Sequence, residues 1–170
     1  MCVIDRAEAL KDSITLVAKL MALSAITAPK GRGVDNVTVK ILDKSDELES
    51  LATTMEELAL EYGEFFARDA ANVRKSGAVV LIGCKIADFK IKQPREFGVD
   101  LNLAMSLVNL GIAVGSAVKT ASILNVDNRV MFTIGVAAKK LNLIDADVVL
   151  GIPLSATSKN IYFDRVWPPK

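Results

Sequence analysis

Apolar positions recur along this chain with two periods, near 3.6 and near 2, and the changes between them mark out its elements. Residues 5–27 carry Leu10, Ile14, Val17, Met21 and the run from Leu23 to Ile26 as one wide stripe, with Arg6, Glu8, Lys11 and Asp12 mostly off it. That spacing predicts a helix, and Pro29 ends it near Thr27 by disfavouring the α conformation at Ala28. Residues 37–42 alternate Val37, Val39 and Ile41 with Thr38 and Lys40, the period of a strand. Ser45, Asp46 and Glu47 offer a cap and an acidic first turn. Leu48, Leu51, Met55, Leu58 and Tyr62 then follow at helical steps, predicting an amphipathic helix over 46–62. Residues 65–75 read as a shorter helix, with Gly77 placed as its C-terminal cap. Residues 78–84 (AVVLIGC) are apolar without a break, which suits a central strand covered on both faces.

Residues 85–100 lose the period. Lys85, Lys90, Lys92 and Arg95, with Pro94 and Gly98, read as a basic surface excursion outside the core. From about Leu101 to Leu124 the chain is almost uncharged and rich in Gly111, Ala113, Gly115, Ser116 and Ala117. A helix of that composition is apolar on most sides and is expected to be buried. Its small side chains admit a second backbone or a flat ligand, so a packing seam and a ligand wall both fit. It ends in a polar turn from Asn125 to Arg129. Residues 129–140 read two ways, VMFTIG as a strand or VAAKKLN as a short helix. Residues 147–152 read as a last strand, stopped by Pro153, before an aperiodic tail. No internal repeat is present. Helices on both sides of three or four strands, without strict alternation, predict a mixed sheet with helices packed against it.

At 170 residues the chain is expected to form one domain over 1–170. Half its residues are hydrophobic and the net charge is +1, which argues against disorder and against nucleic acid held by bulk positive charge. The segment 85–95 changes nothing here, since few aromatics accompany its cations. So much aliphatic surface raises the expectation that some is buried between subunits. The chain has no histidine, which excludes Ser-His-Asp and Cys-His catalysis and histidine-ligated metal. Its two cysteines, Cys2 and Cys84, cannot complete a zinc or iron–sulfur site within one chain. They suggest a reduced intracellular protein, with Cys84 a small buried hydrophobe. No apolar run reaches the ~18–20 residues of a membrane span, and the start lacks a signal-peptide layout, so a cytoplasmic protein without a membrane partner is expected.

Candidate chemistry concentrates in three places. Lys30-Gly31-Arg32-Gly33, followed by Asp35 and Asn36, combines a glycine turn with two cations. It could form an anion-binding nest or be a solvated basic turn; no Gly-Lys-Ser/Thr follows, so it is not a P-loop. Asp127, Asn128 and Arg129 could hydrogen-bond a ligand or cap the next element. Lys159, Asn160, Asp164 and Arg165 in the tail carry the same ambiguity.

Taken together, residues 28–36 (APKGRGVDN), 110–117 (LGIAVGSA), 126–131 (VDNRVM) and 151–156 (GIPLSA), with Lys159-Asn160 and Phe163-Asp164-Arg165, resemble the uncharacterised bacterial and archaeal family called "ferredoxin domain-containing". Members typically carry a cysteine-rich segment between the central strand and the buried helix. The corresponding interval, 85–103, contains no cysteine, so no iron–sulfur cluster is expected. More distantly, the order of elements resembles the flavin-dependent nitroreductases. The resemblance implies an α+β fold: a nitroreductase-like mixed, largely antiparallel sheet flanked by helices, with a long buried central helix. It also implies a homodimer built on that helix, with flavin mononucleotide (FMN) between chains. Lys30, Gly31, Arg32, Gly33, Asp35 and Asn36 would face the ring, Asp127, Asn128 and Arg129 would close over it, and Lys159 or Arg165 would hold the phosphate.

The departures from that pattern matter. The nitroreductases' basic strand ahead of the first helix has no counterpart. The Asn and Gln that usually contact the ring correspond roughly to Gly33 and Asp35, and an aspartate would repel a reduced anionic flavin. Two functions are therefore expected: an FMN-dependent oxidoreductase of unknown substrate, or a non-catalytic dimeric structural or small-ligand-binding protein that has lost the flavin site.

Overall fold

In the computed structural model, which describes residues 3–163, a four-stranded sheet separates two helical layers. In chain order the elements are α1 (Arg6–Thr27), a single 3-10 turn (Gly31–Gly33), β1 (Val37–Leu42), α2 (Ser45–Tyr62), α3 (Phe65–Arg74), β2 (Ala78–Cys84), α4 (Leu101–Ile123), β3 (Asp127–Asn128), α5 (Phe132–Lys140) and β4 (Val148–Ser155). The sheet order is β1-β2-β4-β3, and every strand pairing is antiparallel. The expected α+β architecture is thus present, as a sheet whose antiparallel character is complete among the described residues.

The interior divides at the sheet. Val79 and Leu81 of β2 pack into one core with α2, α3 and α5. Val80 and Ile82 pack into a second core with α1 and α4. Both faces of β2 are therefore apolar, which is why its sequence shows no alternation. Asp5 caps α1 by accepting the Glu8 N–H at 2.9 Å. Ala28 is extended ahead of Pro29, as expected of a pre-proline residue. Gly63, at φ 114°, makes the turn between α2 and α3.

Several sequence expectations need correcting. Ser45 is the first residue of α2 and not its cap; Glu47 Oε2 instead accepts the Lys44 N–H at 3.4 Å. Gly77 does not cap α3, whose cap is Lys75. Its N–H donates to the Leu154 carbonyl, and a Cβ there would come within 2.8 Å of Ile14 Cδ1, so close packing of α1 explains the glycine. Pro153 does not stop β4, which runs on to Ser155. The Gly151 N–H and C=O both pair with Met131, so the nitrogen of Pro153, two residues on, faces the same side. There β3 reaches only residues 154 and 155, and the absent N–H of proline costs no ladder bond. The ambiguous stretch 129–140 is the bridge residue Met131 followed by helix α5.

Helix α4 is long and apolar enough, by length and composition, to cross a membrane, contrary to the sequence expectation. Packing on α1 and the sheet accounts for one side, where Leu110, Ala113, Val114, Ala117 and Ala121 are buried. The other side is not covered by the described residues. Leu107, Val108 and Ile112 are 40–50% exposed, and a Cβ on Gly111 or Gly115 would meet nothing within 4 Å. The expected burial of α4 is thus met on one face of the chain and left open on the other.

Candidate functional site

The polar residues of α4 lie near its N-terminal half and hold two irregular segments in place. Asn102, Ser106 and Asn109 are spaced i, i+4 and i+7, so they share one face. Asn102 Oδ1 accepts the Phe89 N–H at 3.1 Å, and Ser106 Oγ accepts the Ala87 N–H at 3.0 Å. Asn109, 1% exposed, accepts the Gly31 N–H at 2.8 Å and donates to Asn36 Oδ1 at 2.9 Å. Asn36 then donates to the Lys85 carbonyl at 2.7 Å and receives the Lys85 N–H on its own carbonyl at 2.9 Å. The turn 30–36 and the start of the 85–100 segment are thereby laced to each other and to α4.

Phe89, 1% exposed, is buried beneath this lacing, so the segment 85–100 is not wholly the surface excursion that its charge suggested. Gly31 is tightly enclosed, since a Cβ there would come within 2.8 Å of Met105 Cε. Arg32 at φ 53° and Gly33 at φ 68° occupy the left-handed region, which gives the turn its shape. A cleft of 270 Å³ opens beside it, lined by residues including Asp35, Asn36, Thr38, Lys85 and Asp145.

The two cations of the turn are directed at the protein's own carbonyls. Lys30, with a side chain only 7% exposed, donates to the carbonyls of Ile26 and Ala28 and lies 3.8 Å from Asp35. Arg32 donates to the Phe89 carbonyl at 2.6 Å and the Lys90 carbonyl at 3.3 Å. Asp35 is mostly exposed. Lys85 pairs with Asp145 at 2.5 Å, a hydrogen bond that raises its pKa. Burial, with Asp147 nearby, pushes the Cys84 thiol up.

The second group of candidates lies elsewhere. Asp127 and Asn128 form β3, opposite Ser155 and Leu154. Asn160 Nδ2 donates to Asp127 Oδ1 at 3.1 Å, and Arg129 donates to the Tyr162 carbonyl at 3.2 Å with its guanidinium 5.2 Å from the centre of the Phe163 ring. Tyr162 is buried, its hydroxyl 2.9 Å from Ser76 Oγ, and burial raises its pKa strongly. Lys159 is exposed just before this turn, and Arg165 and Asp164 lie outside the described residues. Ser155 Oγ is buried with no hydrogen-bond partner among the described residues, beside Asp127 in the strand register.

The two groups are not adjacent in one chain. Val37 pairs with Cys84 and Cys84 with Val148 at one end of the sheet, while Asp127 pairs with Ser155 at the other. Along α4, the sixteen residues from Asn109 to Asn125 correspond to roughly 24 Å.

A third feature, a cavity of 420 Å³ on the opposite face, is lined by Tyr62, Phe65, Phe66, Phe132 and Val136 and offers apolar surface but no chemistry. Sequence reading missed Asn102, Ser106, Asn109, Phe89 and Tyr162. The signal for the first three was the polar stripe interrupting an apolar helix. Among the described residues no group of histidine, cysteine or acidic side chains could hold a metal ion. With Cys84 buried at a strand end and one other cysteine in the chain, the donors fall short of those an iron–sulfur cluster takes.

The family model described as "Uncharacterized protein containing a ferredoxin domain (DUF2148)" matches residues 100–165. An uncharacterized protein of Archaeoglobus fulgidus is 43% identical over 171 residues, covering 91% of this chain and 92% of the relative. Among solved structures, a BluB-like flavoprotein from Clostridium difficile 630 superposes with a TM-score of 0.60 at 15% identity, covering 91% of this chain and 84% of that one. The NADPH:FMN oxidoreductase of Vibrio harveyi, solved with NAD+, superposes with a TM-score of 0.58 at 13% identity. That match covers 85% of this chain and 60% of the oxidoreductase, so the chain spans three fifths of its length. These likenesses establish the nitroreductase-like fold. The full-length relative and the family match together show that the chain belongs to the family of proteins described as containing a ferredoxin domain.

Proposed function

We propose that two copies of this chain pair along α4 and hold FMN between them, as an oxidoreductase. The observation that carries this reading is the placement of the two candidate groups at opposite ends of the sheet, beside α4, whose uncovered face bears Gly111 and Gly115. A two-fold axis across that face sets the helices antiparallel, so the turn 30–36 of one subunit approaches the 127–129 segment of the other. The glycines favour this reading, because each costs a helix interior about 1 kcal/mol against alanine without any intrachain contact to require it. The unpartnered Ser155 Oγ beside Asp127 leaves a polar atom for an outside group.

In this arrangement Gly31, Gly33 and Asn36 shape the wall beside the ring, and Asp127, Asn128 and Arg129 close it from the other subunit. Lys159 or Arg165, the latter outside the described residues, would help hold the phosphate. A bound flavin would supply the electron transfer, and the protein would position it and exclude water. Lys30 and Arg32, occupied with backbone carbonyls, would shape the turn and not clamp the phosphate. Asp35 faces Lys30 at 3.8 Å, which offsets part of its repulsion toward a reduced ring.

That same engagement of Lys30 and Arg32 favours the second reading, a dimeric binding protein of this fold without flavin chemistry. Titration with FMN, followed by flavin fluorescence and thermal melting, separates the two. Saturable binding with a raised Tm is expected of the first, and no binding and no shift would exclude it.

A further inference from the structure

We infer that Asn109 is the positioning residue of the proposed site: it ties the placement of the turn 30–36 to the helix on which the partner subunit is registered. This inference rests on the dimeric flavin reading for its functional meaning, but its geometry stands within one chain. Asn109 is 1% exposed in the middle of an apolar helix, where an amide is tolerated only if its hydrogen bonds are made. It makes two of opposite polarity. Its oxygen takes the Gly31 N–H at the start of the turn, and its nitrogen donates to Asn36 Oδ1 at the end. Asn36 passes the connection on to the Lys85 carbonyl at the end of β2.

Both ends of the turn are therefore referenced to one side chain. The adjacent Val108 and the next-turn Ile112 lie on the uncovered face of α4, at 50% and 40% exposure. A wall contributed by one subunit is useful only if it sits at a defined distance from the segment contributed by the other. Asn109 lies where the turn and the uncovered face of α4 meet. No apolar side chain can replace it. Aspartate keeps the acceptor for Gly31 but loses the donor for Asn36, and leucine or alanine loses both.

The test compares the full-length protein with Asn109→Ala, Asn109→Asp, Asn36→Ala and, as a control, Leu110→Ala. Leu110 is buried beside Asn109 on the same helix and belongs to the aliphatic core, so its loss reports general destabilisation. Amide hydrogen–deuterium exchange over residues 30–36 should accelerate about tenfold or more in Asn109→Ala and Asn36→Ala, with residues 113–121 unchanged. Asn109→Asp should loosen the Asn36 end more than Gly31. Unchanged protection of the turn in Asn109→Ala overturns the inference. If that variant does not fold, Asn36→Ala, in a half-buried turn position, decides the same point.

FMN titration adds the functional arm. Affinity about tenfold weaker in Asn109→Ala and Asn36→Ala, with the oligomeric state by light scattering unchanged and Leu110→Ala near wild type, supports positioning toward the flavin. An equal loss in Leu110→Ala, or no loss in the asparagine variants, overturns it. Wild-type protein that binds no FMN ends the flavin reading, while the exchange experiment still decides whether Asn109 holds the turn.

Discussion

Gly135 on α5 and Gly151 on β4 show how closely one helix can lie on one strand. A Cβ at Gly135 would stand 1.8 Å from the Val149 carbonyl oxygen and 2.5 Å from its carbon, and one at Gly151 would stand 2.0 Å from Ile134 Cγ2. Backbone cannot step aside as a flexible side chain can. Gly135→Ala should therefore destabilise by about 3 kcal/mol or more, at the upper end of overpacking effects, and lower the Tm by roughly 6–12 °C in a chain of this size. A few residues away, Thr133, fully buried, donates to Asp69 Oδ2 at 2.9 Å, while Arg68 holds Asp69 Oδ1 at 2.8 Å. Thr133→Val keeps the shape and removes the donor, so urea unfolding should show a loss of about 1–3 kcal/mol. On the exposed side, Arg74 binds Glu49 and Glu56, and its hydrogen bond holds the Glu56 carboxyl below its ordinary 4.5. Because the folded pKa lies below the unfolded one, this stabilisation is present above the ordinary value and is lost as pH falls through the folded value. The Tm gap between wild type and Arg74→Gln should accordingly be constant near neutrality and close as the pH falls below the ordinary 4.5.

At the scale of elements, α4 carries an experiment with a sign. If its outer face meets only water, Gly115→Ala should raise stability by about 1 kcal/mol, as in any exposed helix interior. If a second subunit lies against it, the same methyl should lower the Tm and weaken the dimer, seen as concentration-dependent elution. The second outcome is the expected one. The elements themselves were largely legible: α1, α2 and β2 announced their periods because each buries a stripe or both faces of a strand, and β1 alternates in sequence although only Leu42 in it is buried. Pro153 misled because its consequence depends on what lies beside β4, and the place its nitrogen faces is empty of strand. Gly77 misled because its reason is Ile14, far away in sequence. The turn 30–36 and the segment 127–129 were found from turn chemistry, which is local. The directions of Lys30 and Arg32 were not, since the carbonyls that receive them belong to Ile26, Ala28, Phe89 and Lys90. Asn109 was hidden inside a composition dominated by apolar neighbours.

For the molecule as a whole, the division of the interior at the sheet separates two tasks. One core, with α2, α3 and α5, holds the fold. The other, with α1 and α4, ends in the face of α4 that the described residues leave uncovered. Substitutions on opposite sides of the sheet should then add in their effects on stability, as a double-variant cycle of Thr133→Val with Leu110→Ala would check by a coupling near zero, within about 0.5 kcal/mol. The sheet order has a different consequence, for how the chain reaches this state. No two paired strands are joined by a hairpin: a helical hairpin separates β1 from β2, α5 separates β3 from β4, and everything from residue 85 to 147 separates β2 from β4. Each pairing must close a long loop, so helices form first and the sheet waits for them. Until β4 arrives, the segment AVVLIGC has one edge without a partner, uncharged and strongly β-forming, which is the composition that recruits identical strands from other molecules. Refolding yield should therefore fall as protein concentration rises, and a charge placed within residues 78–84 would not rescue it, because both faces of that strand end in the dry interior.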